Sequence, residues 1–271
     1  MINLRTSPAD VKVHQQGEGF RTFYLLIELI KRDFRLRFTG SALGIAWAVL
    51  QPLSLVVLYW FVFTMMIPPR SPNVQGGSYV LFLISGLLPW IGLSEGITRG
   101  TTSIVENGPL VRRLAFRSEI LVIVPNASAM IFETIAISLF ILFLAFRGEA
   151  FFSLWILPFA LLIQVILQTG VAYVLATVFV FFRDVGQILN FVLSVLFYLS
   201  PILYPVAGSR FEKYFMWNPM TPLLGLFRSA FLGAPLPDAF SIVFLLTMTA
   251  VIFGGGLLFF RRAQPGLVDL I

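Results

Sequence analysis

Six long apolar stretches, at about residues 41–67, 79–104, 119–146, 152–181, 188–206 and 239–260, leave this 271-residue chain few ways to fold. A helix needs roughly 20 mostly apolar residues to cross the hydrocarbon core of a bilayer, and each stretch is of that order. Composition agrees: 58% of residues are hydrophobic, 12% are charged and the mean hydropathy is +0.90, far from soluble usage. The expected fold is an all-α polytopic membrane protein with six transmembrane helices. Residues 1–40 form a cytoplasmic tail and an amphipathic interface helix, and residues 41–271 form one transmembrane domain. Residues 207–238 are aromatic and apolar but broken by Pro219, Pro222, Pro235 and Pro237. They are too interrupted to span, and read as re-entrant or interfacial helices before the last span.

Lysine and arginine placement sets the orientation. With the N-terminus inside, Arg5, Lys12, Arg21, Lys31, Arg32, Arg35, Arg37, Arg112, Arg113, Arg117, Arg183, Arg261 and Arg262 are cytoplasmic. Only Arg70, Arg147, Arg210, Lys213 and Arg228 lie outside, and Arg99 sits near the inner end of the second span. Both termini are therefore expected in the cytoplasm, in agreement with an even number of spans. The first forty residues lack the apolar core and small-residue cleavage site of a signal peptide, so the N-terminus is expected to be retained.

Before the first span, Phe20, Phe23, Tyr24, Ile27, Ile30, Phe34 and Phe38 share one face of a helix, with Arg21, Glu28, Arg32 and Arg35 flanking it. That pattern suits a helix lying along the membrane surface. Leu25, Leu29 and Leu36 fall on the opposite side, where a protein partner would cover them. Arg32, Arg35 and Arg37 stand at headgroup level and are candidates for recognising an anionic linkage through bidentate hydrogen bonds. General attraction to anionic lipid is the alternative. In the connection VENGPLVRRLAFRSEI, Asn107 and Gly108 make a turn and Pro109 suits a first helical position. Leu110 and Leu114 share a face of a short helix that carries Arg112, Arg113 and Arg117. It reads as a docking helix, or as an ordinary positive-inside loop.

Several chemistries are excluded or disfavoured. The chain has no cysteine, so disulfides, thiolate metal sites and a cysteine nucleophile are absent; the redox compartment stays open. No histidine or carboxylate cluster suggests a metal, and no basic-aromatic surface suggests nucleic acid. None of the three lysines follows a glycine, so there is no P-loop and ATP is not bound here by one. The stretch GLSEG, residues 92–96, is a literal G-x-S-x-G, but the only histidine is His14 in the polar N-terminal tail and the setting is a helix. Gly92, Gly96 and Gly100 instead make a small-residue stripe that permits close helix packing. Glu95, Arg99 and Glu133 are too few for a proton relay, and Glu95 and Arg99, spaced i, i+4, are expected to neutralise one another.

Taken in order, KRDFRLRFTGSALGIAWAVLQPL, SGLLPW, NGPLVRRLAFRSEIL, FRDVGQIL, FYLSPILYP, WNPMTPLLGLFR and FRRAQPGLVDLI cover nearly the whole chain. This ordered set resembles the permease subunit of ABC-2 type exporters of lipid-linked polysaccharide, which serve O-antigen, capsule and teichoic acid export. The resemblance implies a multi-pass protein of the cytoplasmic (inner) membrane, present as two copies of itself with two copies of a separate ABC ATPase subunit. It implies a lipid-linked glycan as substrate and membrane lipid around it. It implies no enzyme activity and no cofactor in this chain, ATP and Mg being held by the ATPase. It also implies that Pro109 to Arg117 contacts that ATPase, and that the first and fifth spans line the translocation path. Candidate pore aromatics are then Trp47, Tyr59 and Trp60 on the first span and Phe191, Tyr198 and Tyr204 on the fifth. Aromatic belts at the two interfaces are the alternative for Tyr59, Trp60 and Tyr204. A permease of the same class for a drug or small lipid shares the topology. An intramembrane lipid or sugar enzyme needs clustered polar groups at one depth, which the sequence does not display.

Overall fold

Glycine and proline set the limits of most helices in this chain. A computed structural model describes residues 8–62, 65, 76–113, 118–148, 153–206, 210 and 212–270. The first helix, α1, runs Pro8–Phe38 and stops where Gly40 takes a left-handed φ of 85°, a conformation glycine enters without steric penalty. A short 3-10 turn, Gly44–Ala46, then feeds α2, Trp47–Phe61. The helices α3, Gly76–Glu106, and α5, Glu119–Phe146, are joined by the six-residue α4, Gly108–Arg113. A second 3-10 turn, Leu154–Ile156, leads into α6, Leu157–Phe181. A tight turn at Arg183 and Asp184 reverses the chain into α7, Val185–Leu199. Two short helices, α8 (Glu212–Phe215) and α9 (Met220–Leu232), precede α10, Ala239–Leu270.

Helix is the only regular structure among the described residues. Four helices are long and apolar enough to cross a membrane: those at 79–106, 119–146, 154–181 and 239–264. In the expected span at 188–206 the helix is shorter, and that at 41–67 is described only in part. The described helices there, α2 and α7, have 15 residues each, about 22 Å at 1.5 Å per residue. The limit of α7 has a clear cause. Pro201 has no amide hydrogen and pushes the preceding residue out of helical geometry, and Ser200 is extended at φ −98°, ψ 147°.

The core is a three-helix pack of α3, α5 and α6, with α10 laid along α6 and α9 tucked against α3 and α6. Leu83, Ile84, Phe140, Leu144, Ala160, Leu223, Leu224 and Phe227 are buried at its centre. The proline-broken stretch after α7 thus contributes a buried helix, α9, whose Leu223, Leu226, Phe227, Ala230 and Phe231 all face inward. The α6–α10 crossing is close enough to bring backbones together: a Cβ added to Gly256 would lie 2.3 Å from the Gly170 carbonyl oxygen. Helices α2 and α7 lie at the margin. Only Ala48 and Val56 of α2, and Leu189 and Leu193 of α7, are buried, while Leu50, Leu53, Val57, Leu58, Ile188, Phe191, Val192 and Leu199 are exposed. In a membrane protein such faces are covered by lipid or by another chain.

Candidate functional site

The polar side chains of the spans are not scattered. On α3, Ser94 and Thr98 stand one turn apart, and on α7 so do Asn190 and Ser194; i, i+4 spacing puts each pair on one helical face. The structure sets these two faces against each other across a groove of about 590 Å³ between α3 and α7. One end is aromatic: the Trp90 and Phe197 ring centroids are 5.9 Å apart, and Tyr198 meets Phe197 edge-on at 5.2 Å. The other end is charged, with Glu95 and Arg99 in the wall.

Those two charges are held from behind by α1. Arg37 forks onto the Glu95 carboxylate, its Nη2 donating to Oε2 at 3.1 Å. Arg99 donates to Asp33 Oδ1 at 2.7 Å. Between Arg99 and Glu95 themselves the separation is 3.8 Å, so the local pair expected from spacing is secondary to two ion pairs made across 58 and 66 residues of sequence. Phe132 of α5 completes the joint: Phe34 stacks on its ring at 4.8 Å and the Arg37 guanidinium lies 3.8 Å from its centroid. A desolvated cation over an aromatic face contributes about 0.5–2 kcal/mol.

The candidate headgroup arginines therefore divide. Arg37 is engaged in the joint. Arg32 and Arg35 are exposed, Arg32 beside a small recess shared with Leu29, Asp33, Arg99, Glu106 and Asn107. Earlier on the same helix, Phe23 and Tyr24 are exposed as well.

The candidate pore aromatics divide as well. Tyr198, 63% exposed, is in the groove. Trp47 faces a separate small cavity between α1, α2, α3 and α5, with Gln51, Glu95 and Glu133. Tyr59 and Trp60 pack against the core. Phe191 is 70% exposed and is not part of the groove's lining. Tyr204 lies beyond the end of α7, its hydroxyl donating to the Tyr198 carbonyl, in an apolar recess with Tyr214 and Trp217.

Of the docking stretch, α4 includes Pro109, Leu110, Arg112 and Arg113, with Pro109 exposed and Leu110 half-buried. The Leu110 amide closes the turn onto the Asn107 carbonyl at 2.9 Å. Leu114 and Arg117 lie outside the described residues.

Sequence reasoning missed Trp90, Ser94, Thr98, Asn190, Ser194 and Phe197; the signal was present as paired hydroxyl and amide residues inside apolar runs. It also missed a polar ladder sealed among α3, α5 and α6. There Gln164 donates to Glu133 and, at 3.2 Å, to the Pro89 carbonyl, and Gln168 lies beside Asn126. Gly92 and Gly96 make its room: a Cβ at Gly92 would lie 1.9 Å from Glu133 Oε2, and one at Gly96 2.6 Å from Gln168 Nε2. The ladder holds one carboxyl among amides and sits in the helix contact itself. Most of it is packing inside the helix contact, and Glu133 also faces the small cavity beside Trp47.

Comparison with known proteins adds the context. The model of a family described as ABC-2 type transporter matches residues 24–232. The chain is 28% identical over 254 residues to the O-antigen export system permease protein RfbA of Myxococcus xanthus, covering 91% of this chain and 95% of that protein. A Klebsiella pneumoniae protein of the same name is 27% identical over 259 residues, covering 92% and 95%. The polysialic acid transport protein KpsM of Escherichia coli is 25% identical over 260 residues, covering 92% and 98%.

Proposed function

Since the chain belongs to the ABC-2 type transporter family, we propose that it is the membrane permease subunit of an ATP-driven exporter that carries a lipid-linked polysaccharide out of the cytoplasm. One observation carries this reading: relatives named for O-antigen export and for polysialic acid transport align with nearly the whole chain. The α3–α7 groove supports it. Hydroxyl and amide rows suit the polar edges of sugar rings, and flat aromatic surfaces suit their C–H faces, so a chain of sugars finds many weak contacts and no deep one.

In this reading α2 and α7 are the two remaining spans of six, and their exposed apolar faces meet a second copy of the chain across the path. Trp47, Tyr59, Trp60, Phe191, Tyr198 and Tyr204 then face that path or its mouths only in the assembled pair. The protein sits in the inner membrane with both termini in the cytoplasm. Two copies of an ABC ATPase dock at α4, and ATP hydrolysis belongs to them. Arg32 and Arg35 meet the anionic linkage of the substrate first, because Arg37 reaches it only after releasing Glu95.

The test is genetic and chemical. In a strain deleted for this gene, surface polysaccharide is expected to vanish while lipid-linked glycan accumulates inside the cell. The same phenotype is expected when the partner ATPase is inactivated. Unchanged surface polysaccharide after deletion refutes the proposal.

A further inference from the structure

The outer end of α7 is tied down in a way the rest of that helix is not. A helix leaves its last carbonyls without partners inside the helix, and here the chain turns away at Pro201 with more carbonyls exposed in an apolar setting. Side chains from elsewhere meet them. The Leu199 carbonyl accepts from the Asn218 amide at 3.1 Å, which also reaches the Ser200 hydroxyl at 3.4 Å. The Pro201 carbonyl accepts from Arg228 of α9, whose Nη2 also lies 3.4 Å from the Ile202 carbonyl. The Leu203 carbonyl accepts from the Tyr79 hydroxyl of α3 at 2.8 Å. Tyr204 closes onto Tyr198.

Arg228 is the centre of this arrangement. Its guanidinium lies 3.7 Å over the Phe82 ring, and Gly86 leaves the space for it, since a Cβ there would come within 3.0 Å of Nη2. Ser200 and Ile202 are fully buried beneath it. The inner end of α7 contrasts with this. It joins α6 through Phe182, Arg183 and Asp184, all exposed, with the Arg183 guanidinium 5.3 Å over the Phe179 ring as its side-chain tie to α6. Its body packs mainly on α3 through Leu189 and Leu193, and its Asn190 and Ser194 face the open groove.

The two ends therefore differ in what it takes to move them. Pulling the outer end away strands the part-buried Pro201, Ile202 and Leu203 carbonyls and the Arg228 guanidinium without partners, which is the costlier change. Swinging the inner end parts hydroxyl-lined walls that water re-solvates. We infer that Arg228, with Asn218 and Tyr79, is a positioning residue that pins the outer end of α7, so that this helix pivots there and the Arg99–Asn190 end of the groove opens and closes during transport. This rests on the reading that the groove lies on the transport path.

The absence of cysteine from the chain makes the test direct. One variant pair, Thr98→Cys with Asn190→Cys, spans the inner end of the groove. Another, Tyr79→Cys with Leu203→Cys, spans the pinned end. Each is linked in cells by a membrane-permeant bis-maleimide and compared with its own unlinked control for newly exported surface polysaccharide. The inner link is expected to cut export by about 5- to 150-fold, the range of ordinary coupling energies, and the outer link to leave it no lower than its own unlinked control, since the link replaces the bond that Tyr79→Cys removes. Arg228→Met is expected to lower export, and the outer link installed in that background to restore it, because the link supplies the anchoring that Arg228 gave. A residue needed only for folding is not rescued in this way. Should Arg228→Met fail to insert, Asn218→Ala carries the same rescue test. An outer link that stops export as fully as the inner one, or that rescues neither variant, overturns the pivot. If the strain's surface polysaccharide does not depend on the wild-type chain, the functional reading fails instead, before any link is installed.

Discussion

Glu95 belongs to two surfaces at once, the α3–α7 groove on one side and the α1 joint on the other. Its side chain is 20% exposed and that of Arg37 22%, so the pair is screened less than a surface pair and its loss leaves a half-buried charge unpaired. Arg37→Glu or Glu95→Arg alone is expected to speed hydrogen exchange in the last two turns of α1 about tenfold, equivalent to roughly 1.4 kcal/mol. The double reversal is expected to recover most of that protection; a double variant as fast as the singles shows that the joint does not depend on the pair. Asp238 offers a pH-dependent contrast outside the membrane. Its carboxylate accepts from the Ser241 hydroxyl at 2.6 Å and the Ser241 amide at 3.2 Å, which holds it below the usual carboxylate range. A depressed carboxylate stabilises the fold above its unfolded value and loses that contribution as pH falls through its own lower value. The first turn of α10 is thus expected to lose protection in acid, measured relative to the intrinsic exchange rate at each pH, and Asp238→Asn to remove the dependence; the same acid loss of protection in that variant contradicts the assignment. At this scale the sequence reveals local spacing well and distant pairing poorly. Glu95 and Arg99 are legible as neighbours at i, i+4, whereas their closer partners arrive from α1, which only the fold supplies.

Among the elements, the glycines differ in what they accommodate. At Gly256 and Gly170 the obstacle is backbone, since an added Cβ would meet the Gly170 carbonyl oxygen at 2.3 Å or the Phe253 Cα at 2.6 Å. Either change to alanine forces α6 and α10 apart along the largest helix contact of the molecule, a strain of about 1–3 kcal/mol or more. At Gly92 the obstacle is the far end of the Glu133 side chain, which has rotamers to move into, and at Gly254 nothing lies within 4 Å. Thermal unfolding of the purified protein is expected to rank Gly256→Ala and Gly170→Ala as most destabilising, Gly92→Ala as intermediate and Gly254→Ala within about 1 kcal/mol of wild type. An equal effect at Gly254 and Gly256 contradicts the backbone contact. Four long helices, the short α4 and the proline-broken helix α9 were legible because apolar length and breaker residues act locally. The end of α7 was not. Hydropathy continues through Ser200 to Tyr204 after hydrogen bonding has already switched from helix to side-chain capping, and no window average detects that change.

For the whole molecule, the joint between α1, α3 and α5 and the helix α4 lie at the same end of the bundle. Arg32 and Asp33 share a recess with Arg99, Glu106 and Asn107, and Asn107 opens the turn onto α4. If, as proposed, an ATPase docks at α4, a displacement of α4 would bear on the adjoining end of α3, and through Arg99 on both α1 and the groove. Under the proposed function the chain's contribution to active transport would be mechanical, passing a push at α4 to the charged end of the polar groove. Leu110 is the place to interrupt that step, because it is half-buried and on no wall of the groove. Leu110→Asp puts a charge where α4 would seat against the proposed ATPase while leaving the buried faces of α3, α5 and α6 untouched, so membrane insertion is expected to be normal. Surface polysaccharide is expected to fall by about 5- to 150-fold, the loss of 1–3 kcal/mol of coupling between the two subunits. ATP hydrolysis by the assembled complex is expected to lose its stimulation by substrate before it loses its basal rate. The discriminating measurement is the ratio of glycan exported to ATP consumed. A Leu110→Asp protein that is inserted, binds the ATPase and exports at the wild-type ratio removes α4 from the coupling route.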